Sequence, residues 1–387
     1  MKSIIAAAAA LSLLVAPAFA EQSVKIGFVT TLSGPAGVIG KHMKDASTLA
    51  LDMLGGKIGG LPATIVYGDD QFKPDVGRQV SEEMLQRDKV DFMTGFIWSN
   101  VLLASYQPII RSGVVLIGAN AGPHELAGAM CASNYFSASW QNDQTPEAMG
   151  KFMNDQKMND VYLMAPDYAA GKDMVNGFKR YFKGKVAAEV YTKPGQSDYQ
   201  VEISQIRQAA PKALFIFLPG GMGIQFVKQY AQSGLRDQIP LYSAFTVDET
   251  TLPAIGDAAA GNYEVSFWSP DLDNPRNKQF VAAFRAKYHY MPSYYAAQSF
   301  DAINMIDAAV KAAKGNLADK QGMIAAIDKA DFPSVRGAFK YGPNHFPIEN
   351  FYLLKIVKDA DGEYVRKIQS TIFADHADAY ASECKMK

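Results

Sequence analysis

Residues 24–54 read VKIGFVTTLSGPAGVIGKHMKDASTLALDML, which is a short apolar strand, a turn and a long amphipathic helix. The strand is predicted over 24–29 and the turn at 33–35. From about Val38 to Leu54, apolar residues recur at the spacing of a helix that packs against a sheet. A strand that leads through a tight turn into such a helix is typical of a βαβ unit.

The same alternation continues along the chain. In the first series, strands are predicted over 63–67, 90–94 and 114–117, with helices over 75–87 and 100–112. After residue 140 the rhythm restarts, with predicted helices at 145–154, 172–182, 198–208 and 223–231 and predicted strands at 160–164, 186–190, 213–218 and 241–244. Strands that alternate with helices predict parallel, doubly wound sheets, and two similar series predict two similar lobes.

The end of the chain changes character. Two long helices are predicted over 277–288 and 295–313. The segments 337–342, 351–357 and 364–368 then have β patterns, and the last two are joined by a predicted hairpin turn at 358–362.

The first twenty residues are typical of a secretory signal peptide. A basic start at Met1-Lys2 precedes an apolar stretch over 4–15 and the small-x-small sequence at 18–20. We predict cleavage after Ala20. The apolar stretch is too short to span a bilayer, which needs about 20 apolar residues.

Composition narrows the classes of protein to which this chain can belong. The formal net charge of −1 argues against a nucleic-acid binder, which needs a basic surface to offset phosphates. A hydrophobic content of 48% is typical of a globular chain, and 387 residues are enough for two domains.

The chain has two cysteines, Cys131 and Cys384. Exported thiols often pair in an oxidising compartment, although the sequence does not place these two within bonding range. We predict a bridge that ties the C-terminal tail to the first lobe. The alternative is two independent thiols.

Motifs of catalysis are missing from the sequence. Gly221-Met222-Gly223 resembles the start of a dinucleotide fingerprint, but Phe226 stands at the third glycine position. P-loop, HExxH and Gly-x-Ser-x-Gly motifs are absent, and the five histidines lack ligand spacing. We therefore expect a protein that is not an enzyme, without catalytic residues, cofactor or metal.

The chemistry that remains lies at the strand-to-helix junctions. Ligands of open α/β sheets bind outside the carboxyl ends of strands, where helix N-termini offer N–H groups to a carboxylate. Six junctions are rich in small and polar residues: 31–35, 95–100, 118–122, 166–171, 219–221 and 244–246. Helix capping alone also explains Ser99 and Asn100, but the repetition in two lobes favours a ligand site.

Several of these segments resemble one family. They are IGF at 26–28 with TLSGP at 31–35, GGKIGG at 55–60, HEL at 124–126 and DYAAG at 167–171. In this order they are similar to segments of the ABC-transporter periplasmic substrate-binding proteins of the branched-chain amino acid type. Each motif is weak alone, and the similarity runs through the whole mature chain.

The resemblance implies a type I periplasmic binding fold, with two α/β lobes joined by a three-crossover hinge. Besides the signal peptide at 1–20, the implied division is a first lobe of 21–138 with 270–343, a second lobe of 139–269 with 344–376, and a tail of 377–387. It also implies a periplasmic location, hinge closure on a small ligand, and a membrane permease as partner. We expect a monomer.

The resemblance also places a binding site. Ser99 falls where relatives bind the ligand carboxylate, Asn120 and Ala121 fall on a loop that adds backbone contacts, and Tyr168 falls where a tyrosine closes over the ligand. With the neighbouring junction residues, the predicted ligand-binding set is Trp98, Ser99, Asn100, Asn120, Ala121, Gly122, Tyr168, Gly221 and Phe245.

Departures from the family pattern suggest the ligand. Amino-acid receptors of this family place a glutamate after the strand corresponding to 241–244, to hold the α-ammonium. Here Phe245 follows that strand, Asp248 is near but displaced, and Gly122 stands where a hydroxyl residue often binds the carboxylate. A buried ammonium without a counter-charge is costly.

Aromatic residues lie at or beside the same junctions, namely Phe96, Trp98, Tyr168 and Phe245. They offer flat walls to a ring, or else pack into their own lobes. We therefore predict a receptor for an aromatic carboxylate. The alternatives are a branched-chain or other amino-acid receptor, and a secreted sensory protein that acts on a signalling partner.

Overall fold

The computed structural model describes residues 22–386, which form two sheets with helices on both faces. The predicted signal peptide lies outside the described residues. None of the helices within residues 22–386 has both the length and the apolar character needed to cross a membrane.

The first sheet contains the first six strands. They are β1 (Val24–Thr30), β2 (Lys57–Ile58), β3 (Leu61–Asp69), β4 (Phe92–Gly95), β5 (Val115–Gly118) and β6 (Tyr135–Ser137). The helices between them are α1 (Gly37–Met53), α2 (Pro74–Glu83), α3 (Ser99–Ser112) and α4 (His124–Ala127). The strand order is β2-β3-β1-β4-β5-β6, and every pair except β2–β3 is parallel.

The second sheet begins with five parallel strands. They are β7 (Val161–Pro166), β8 (Val186–Thr192), β9 (Ala213–Ile216), β10 (Leu241–Ala244) and β11 (Tyr263–Ser266). The helices of this series are α5 (Gln144–Asp155), α6 (Ala169–Tyr181), α7 (Gln200–Ala209), α8 (Gly221–Gln232) and α9 (Leu252–Ile255).

The remaining elements complete the second sheet and add three helices. They are α10 (Pro275–Tyr288), α11 (Tyr294–Ala312), α12 (Lys320–Asp328), β12 (Lys340–Tyr341), β13 (Pro347–Lys358) and β14 (Tyr364–His376). Helix α11 packs along α1 in the first lobe. Strand β13 pairs antiparallel with β11, β12 and β14, so the second sheet is mixed rather than wholly parallel.

The predicted α/β fold with two lobes is confirmed. The chain passes between the sheets three times, after β6, after β11 and before β13. Strand β12 lies within the third passage, where it pairs with β13 although it precedes the predicted boundary at residue 343. We propose these three passages as the hinge.

Both sheets reverse their strand order at equivalent places. In the first sheet β1 lies between β3 and β4, and in the second β7 lies between β8 and β9. Helices that leave adjacent strands on opposite faces open a crevice at the carboxyl ends of those strands. Each lobe therefore offers one crevice.

Amphipathic patterning explains why the first βα unit forms. In β1, Val24, Ile26 and Phe28 are buried, and in α1 the buried face includes Ile39 and Met43. Burial of such side chains is worth about 1.5–3 kcal/mol each. Some differences from prediction lie at element ends: α2 ends in a π-helical turn at 84–88, and β14 runs on to His376. Further elements were not predicted, among them β2, β6, α4, α9 and α12.

Candidate functional site

A small cavity lies between the two lobes, at the carboxyl ends of their strands. Its volume is about 20 Å³, which is room for about one water molecule. It is lined by Ile97, Trp98, Ser99, Asn120, Ala121, Trp140, Asn142, Tyr168, Ala170, Met174, Phe217, Pro219, Phe245 and Tyr295. A ring-sized ligand therefore enters only if the lobes or the wall side chains move apart.

A larger cavity of about 510 Å³ lies at the mouth of the cleft. The first lobe contributes its turns around Gly34 and Phe72, and the second lobe contributes residues around Gln196 and Gly221. Trp98 and Pro219 line both cavities and separate the inner one from the mouth.

Trp98 is fixed by hydrogen bonds in the first lobe. Its indole Nε1–H donates to Thr31 Oγ1 over 2.7 Å, and the Thr31 hydroxyl donates to Asp70 Oδ1 over 2.5 Å. Its ring stacks on Phe72, with 4.0 Å between the ring centroids. The Tyr168 ring from the second lobe lies edge-on to the Trp98 ring, with 6.1 Å between the ring centroids. Asp70, which directly follows β3, thus positions an aromatic wall of the cavity.

Ser99 begins helix α3 without capping it. Trp98 holds the N-cap position in an extended conformation, and no side chain caps the helix. The N–H groups of the first turn have no partner inside the helix, and the helix dipole favours negative charge there. Ser99 is buried, and its Oγ accepts a hydrogen bond from Asn142 Nδ2 over 3.0 Å. The hydroxyl proton of Ser99 therefore remains available to an acceptor in the cavity.

The loop after β5 contributes Asn120 and Ala121. The amide of Asn120 donates to Ile97 O over 2.7 Å and accepts from Gln298 Nε2 over 2.7 Å. The Ala121 N–H donates to Phe96 O over 3.0 Å. These bonds hold the loop against the first lobe, so Asn120 and Ala121 shape the wall with groups that already have partners.

Aromatic rings form the wall of the second lobe. Tyr168 lies at the N-cap of α6, where no side chain caps the helix. The centroid of its ring lies 6.2 Å from that of Phe217. The Phe217 ring in turn lies edge-on to Phe245, with 6.1 Å between the centroids. Phe245 stacks on Trp140 at 4.4 Å and has a left-handed backbone with φ of 53°. A non-glycine residue in that region costs of order 1 kcal/mol, which marks a constrained junction.

Asp248 does not supply an acid to the cavity. Its Oδ2 accepts from the Tyr294 hydroxyl, and its Oδ1 accepts from the N–H and the hydroxyl of Thr250 over 2.7 and 2.6 Å. Two further buried acids nearby, Glu249 and Glu264, face Arg366 at 2.7 and 3.7 Å. Among the residues that the structure describes, no aspartate or glutamate lines the inner cavity.

Six of the nine predicted residues line the inner cavity, and three do not. Asn100 follows Ser99 by one helical position, a rotation of about 100° that turns its side chain away. The Gly122 N–H donates to Asn142 Oδ1 over 3.1 Å, and a side chain at Gly122 would collide with Trp140 O. Gly221 lines the mouth cavity instead.

Several lining residues were missed from the sequence. Trp140 and Asn142 lie in the first passage between the lobes, and Tyr295 lies at the start of α11. Phe217 follows β9 directly. Its position at a strand end beside the predicted junction at 219–221 was the one sequence signal that could have placed it in the cavity wall.

One group of side chains has the ligand types of a metal centre. The donor atoms of His124, Glu125 and Asp173 lie within 4.8 Å of one another. However, His124 Nδ1 lies 2.7 Å from Asp173 Oδ1, a hydrogen-bond distance, and Asn142 occupies the other Asp173 oxygen. This geometry is that of an ion pair.

Comparison with known proteins identifies relatives over nearly the whole chain. The family model described as periplasmic binding protein matches residues 23–362. Leu/Ile/Val-binding protein homolog 6 of Brucella melitensis is 26% identical over 379 residues, covering 95% of this chain and 96% of that protein.

Two solved structures are similar in sequence and in fold. A solute-binding protein of an ABC transporter from R. palustris, in complex with benzoate, is 32% identical with a TM-score of 0.89, covering 94% of this chain and 100% of that one. A solute-binding protein from Rhodopseudomonas palustris BisB5, in complex with 3,4-dihydroxybenzoic acid, is 26% identical with a TM-score of 0.86, covering 92% of this chain and 99% of that one.

Proposed function

The chain belongs to the periplasmic binding protein family and is a solute-binding receptor of the ABC-transporter type, and we propose that its ligand is an aromatic carboxylic acid without an α-amine. The family is extracytoplasmic, and it is not a family of enzymes. We further propose that this chain is exported to the periplasm and delivers its ligand, as a monomer, to a membrane permease.

The composition of the inner cavity carries this proposal. The uncapped start of α3 and the Ser99 hydroxyl face the same small space as the rings of Trp98, Tyr168 and Phe245. Donors suit a carboxylate, rings suit an aryl group, and no aspartate or glutamate among residues 22–386 lines the cavity to hold an ammonium. The relatives from R. palustris, with benzoate and 3,4-dihydroxybenzoic acid bound, support the same class of ligand.

Hinge closure supplies the mechanism. Ligand first meets the α3 junction of one lobe, and the second lobe then brings Tyr168 and Phe245 against the ring. Binding energy shifts the equilibrium toward the closed form. A micromolar complex needs about −8 kcal/mol, which a few charge-assisted hydrogen bonds and ring contacts can provide.

A leucine-type receptor is the second candidate, because the Brucella melitensis relative is named as a Leu/Ile/Val-binding protein homologue. The two candidates differ in one requirement. An amino acid needs an anionic partner for its ammonium, and benzoate does not. Titration of the protein with benzoate and with leucine by calorimetry therefore separates them, and binding of leucine alone would overturn the proposal.

Ser99→Ala is expected to weaken benzoate binding by about 1–2 kcal/mol, because one charge-assisted hydrogen bond is lost. Calorimetry measures the change in Kd. Ser112→Ala at the far end of the same helix is the matched control, since the Ser112 hydroxyl lies outside the cavity, donates to Ile109 O and accepts from the Val114 N–H. An unchanged Kd in Ser99→Ala would remove Ser99 from the site.

Tyr168→Ala is expected to speed benzoate release about tenfold while it changes capture less. The residue belongs to the second lobe and meets Trp98 across the cleft, so it acts after the first encounter. Stopped-flow kinetics measure both rates. Tyr168→Phe, which keeps the ring, should retain slow release, and a change confined to the association rate would contradict this role.

A further inference from the structure

A line of polar side chains leads from Ser99 out of the cavity. Asn142 donates from Nδ2 to Ser99 Oγ and also to Asp173 Oδ2 over 2.9 Å. Its Oδ1 accepts from the Gly122 N–H. Because a backbone N–H is only a donor, it fixes which end of the Asn142 amide carries the oxygen. Asn142 must then present hydrogens to Ser99, so the Ser99 hydroxyl has to donate elsewhere.

The line continues across the two lobes. Asp173 lies on α6 of the second lobe and is 2% exposed, whereas His124 lies on α4 of the first lobe. Asp173 Oδ1 lies 2.7 Å from His124 Nδ1, and Asp173 Oδ2 also accepts from the His124 N–H over 3.3 Å. A buried carboxylate of one lobe is therefore paired with an imidazole of the other in this structure.

Other charged groups surround this pair. Glu125 Oε2 lies 3.5 Å from His124 Nδ1, and the Tyr380 ring lies 5.4 Å from the imidazole. Asp143 is close enough to act on both members by its charge, but it is paired with Arg180 at 2.8 Å. Arg180 also pairs with Glu147, which bonds His376. The surroundings of His124 are thus mainly acidic.

Building on the proposed carboxylate site, we propose that His124, Asp173 and Asn142 form an interlobe relay. The protonated His124 holds Asp173 in the closed form, Asp173 and Gly122 hold Asn142, and Asn142 turns the Ser99 hydroxyl toward the ligand. Asn142 is then a positioning residue that makes the site select a hydrogen-bond acceptor, and closure on an anionic ligand takes up a proton at His124.

The direction of the pH effect follows from the ion pair. The hydrogen bond and the charge of Asp173 raise the pKa of His124 from 6.5 to about 9. Stabilisation of the closed form is therefore complete below about pH 6.5 and is lost as the pH rises through 9. Burial raises the pKa of Asp143 to about 6, so that group titrates below this window.

The test is calorimetric titration with benzoate at pH 6.5, 8 and 9.5. Two buffers of different ionisation enthalpy are used to measure proton uptake, and EDTA is present to remove metal ions. Because His124 is partly exposed, we expect an affinity loss of about tenfold across this range rather than the full effect of the pKa shift. By linkage, a tenfold loss over three pH units corresponds to an average uptake by the wild-type protein of about a third of a proton for each benzoate bound. His124→Gln should take up none, whereas the exposed control His289→Asn should behave as wild type.

Asn142 is tested by a double-mutant cycle with Ser99. Asn142→Ala should weaken benzoate binding in the wild-type background and have little further effect in Ser99→Ala. Equal losses in both backgrounds would show a merely structural role. Binding without proton uptake overturns the relay alone, whereas absence of benzoate binding at every pH overturns the proposed function and the relay with it.

Discussion

Benzoate and 4-hydroxybenzoate are expected to raise the midpoint of thermal unfolding, and leucine and valine to leave it unchanged. The reason is the charge balance of the closed cleft. The donors at the start of α3 suit a carboxylate, but no aspartate or glutamate among the described residues lines the inner cavity. A dry cleft without a counter-charge should disfavour an amino acid by several kcal/mol.

Matched ligands make this experiment sharper. Phenylalanine and 3-phenylpropionate share a ring and a carboxylate and differ by the ammonium, so only the second should stabilise the protein. Cyclohexanecarboxylate keeps the charge without the flat ring, and benzamide keeps the ring without the charge. Both should stabilise less than benzoate. Stabilisation grows with ligand concentration as mass action requires, which separates binding from nonspecific effects.

The result that would contradict the prediction is stabilisation by leucine with no effect of aromatic acids. An ammonium would then need an acid near the cleft. Asp248 does not line the inner cavity, and Tyr294 and Thr250 occupy both its oxygens. Tyr294→Phe releases one of those oxygens, but because Asp248 lies outside the cavity lining, this variant should still not bind leucine.

The sequence predicted much of the cavity lining because those residues lie at the ends of strands. A parallel sheet places every strand-to-helix junction at one edge, so local patterns are enough to bring Trp98, Ser99 and Asn120 together in the first lobe and to place Tyr168 at the corresponding edge of the second. The same reasoning overreached where it counted neighbours in sequence as neighbours in space. Asn100 shares a junction with Ser99 and yet lies on another face of α3.

The residues that were missed depend on long-range geometry. Trp140 and Asn142 lie in a passage between the lobes that has no helical or strand periodicity, so no local signal aims them at the cavity. Asp173 reads as one more polar residue of a surface helix. Only the approach of the two lobes makes it a buried partner of His124 and Asn142.

The fold was predictable because it is built from local βα units. The prediction was wrong where the structure depends on long-range geometry. Repeated βα units specify parallel sheets, but they do not say where a chain returns to an earlier sheet. The mixed character of the second sheet comes from β13, which arrives from the third passage and runs antiparallel to β11. The predicted strand at 337–342 shrank to Lys340–Tyr341, because only those residues reach β13.

Loss of the bridge between Cys131 and Cys384 is expected to lower the free energy of unfolding by about 5 kcal/mol in the chain-entropy model. The structure joins these cysteines, with 5.6 Å between their Cα atoms and 253 residues between them in sequence. So long a closed loop removes much entropy from the unfolded chain. Urea denaturation of the Cys131→Ser/Cys384→Ser variant measures the loss, and thiol titration of the denatured, unreduced wild-type protein should find no free thiol.

The tail has contacts of its own that allow this effect to be separated from binding. The Tyr380 hydroxyl donates to Asp143 over 2.8 Å, and Asn344 donates to Asp378 over 2.9 Å, so we expect the tail to stay docked when the bridge is removed. None of these residues lines the inner cavity. The serine variant should therefore keep the Kd of the wild type for benzoate while it unfolds at lower urea. Two free thiols in protein purified from its native compartment, or an unchanged unfolding midpoint, would show that the bridge does not stabilise the fold.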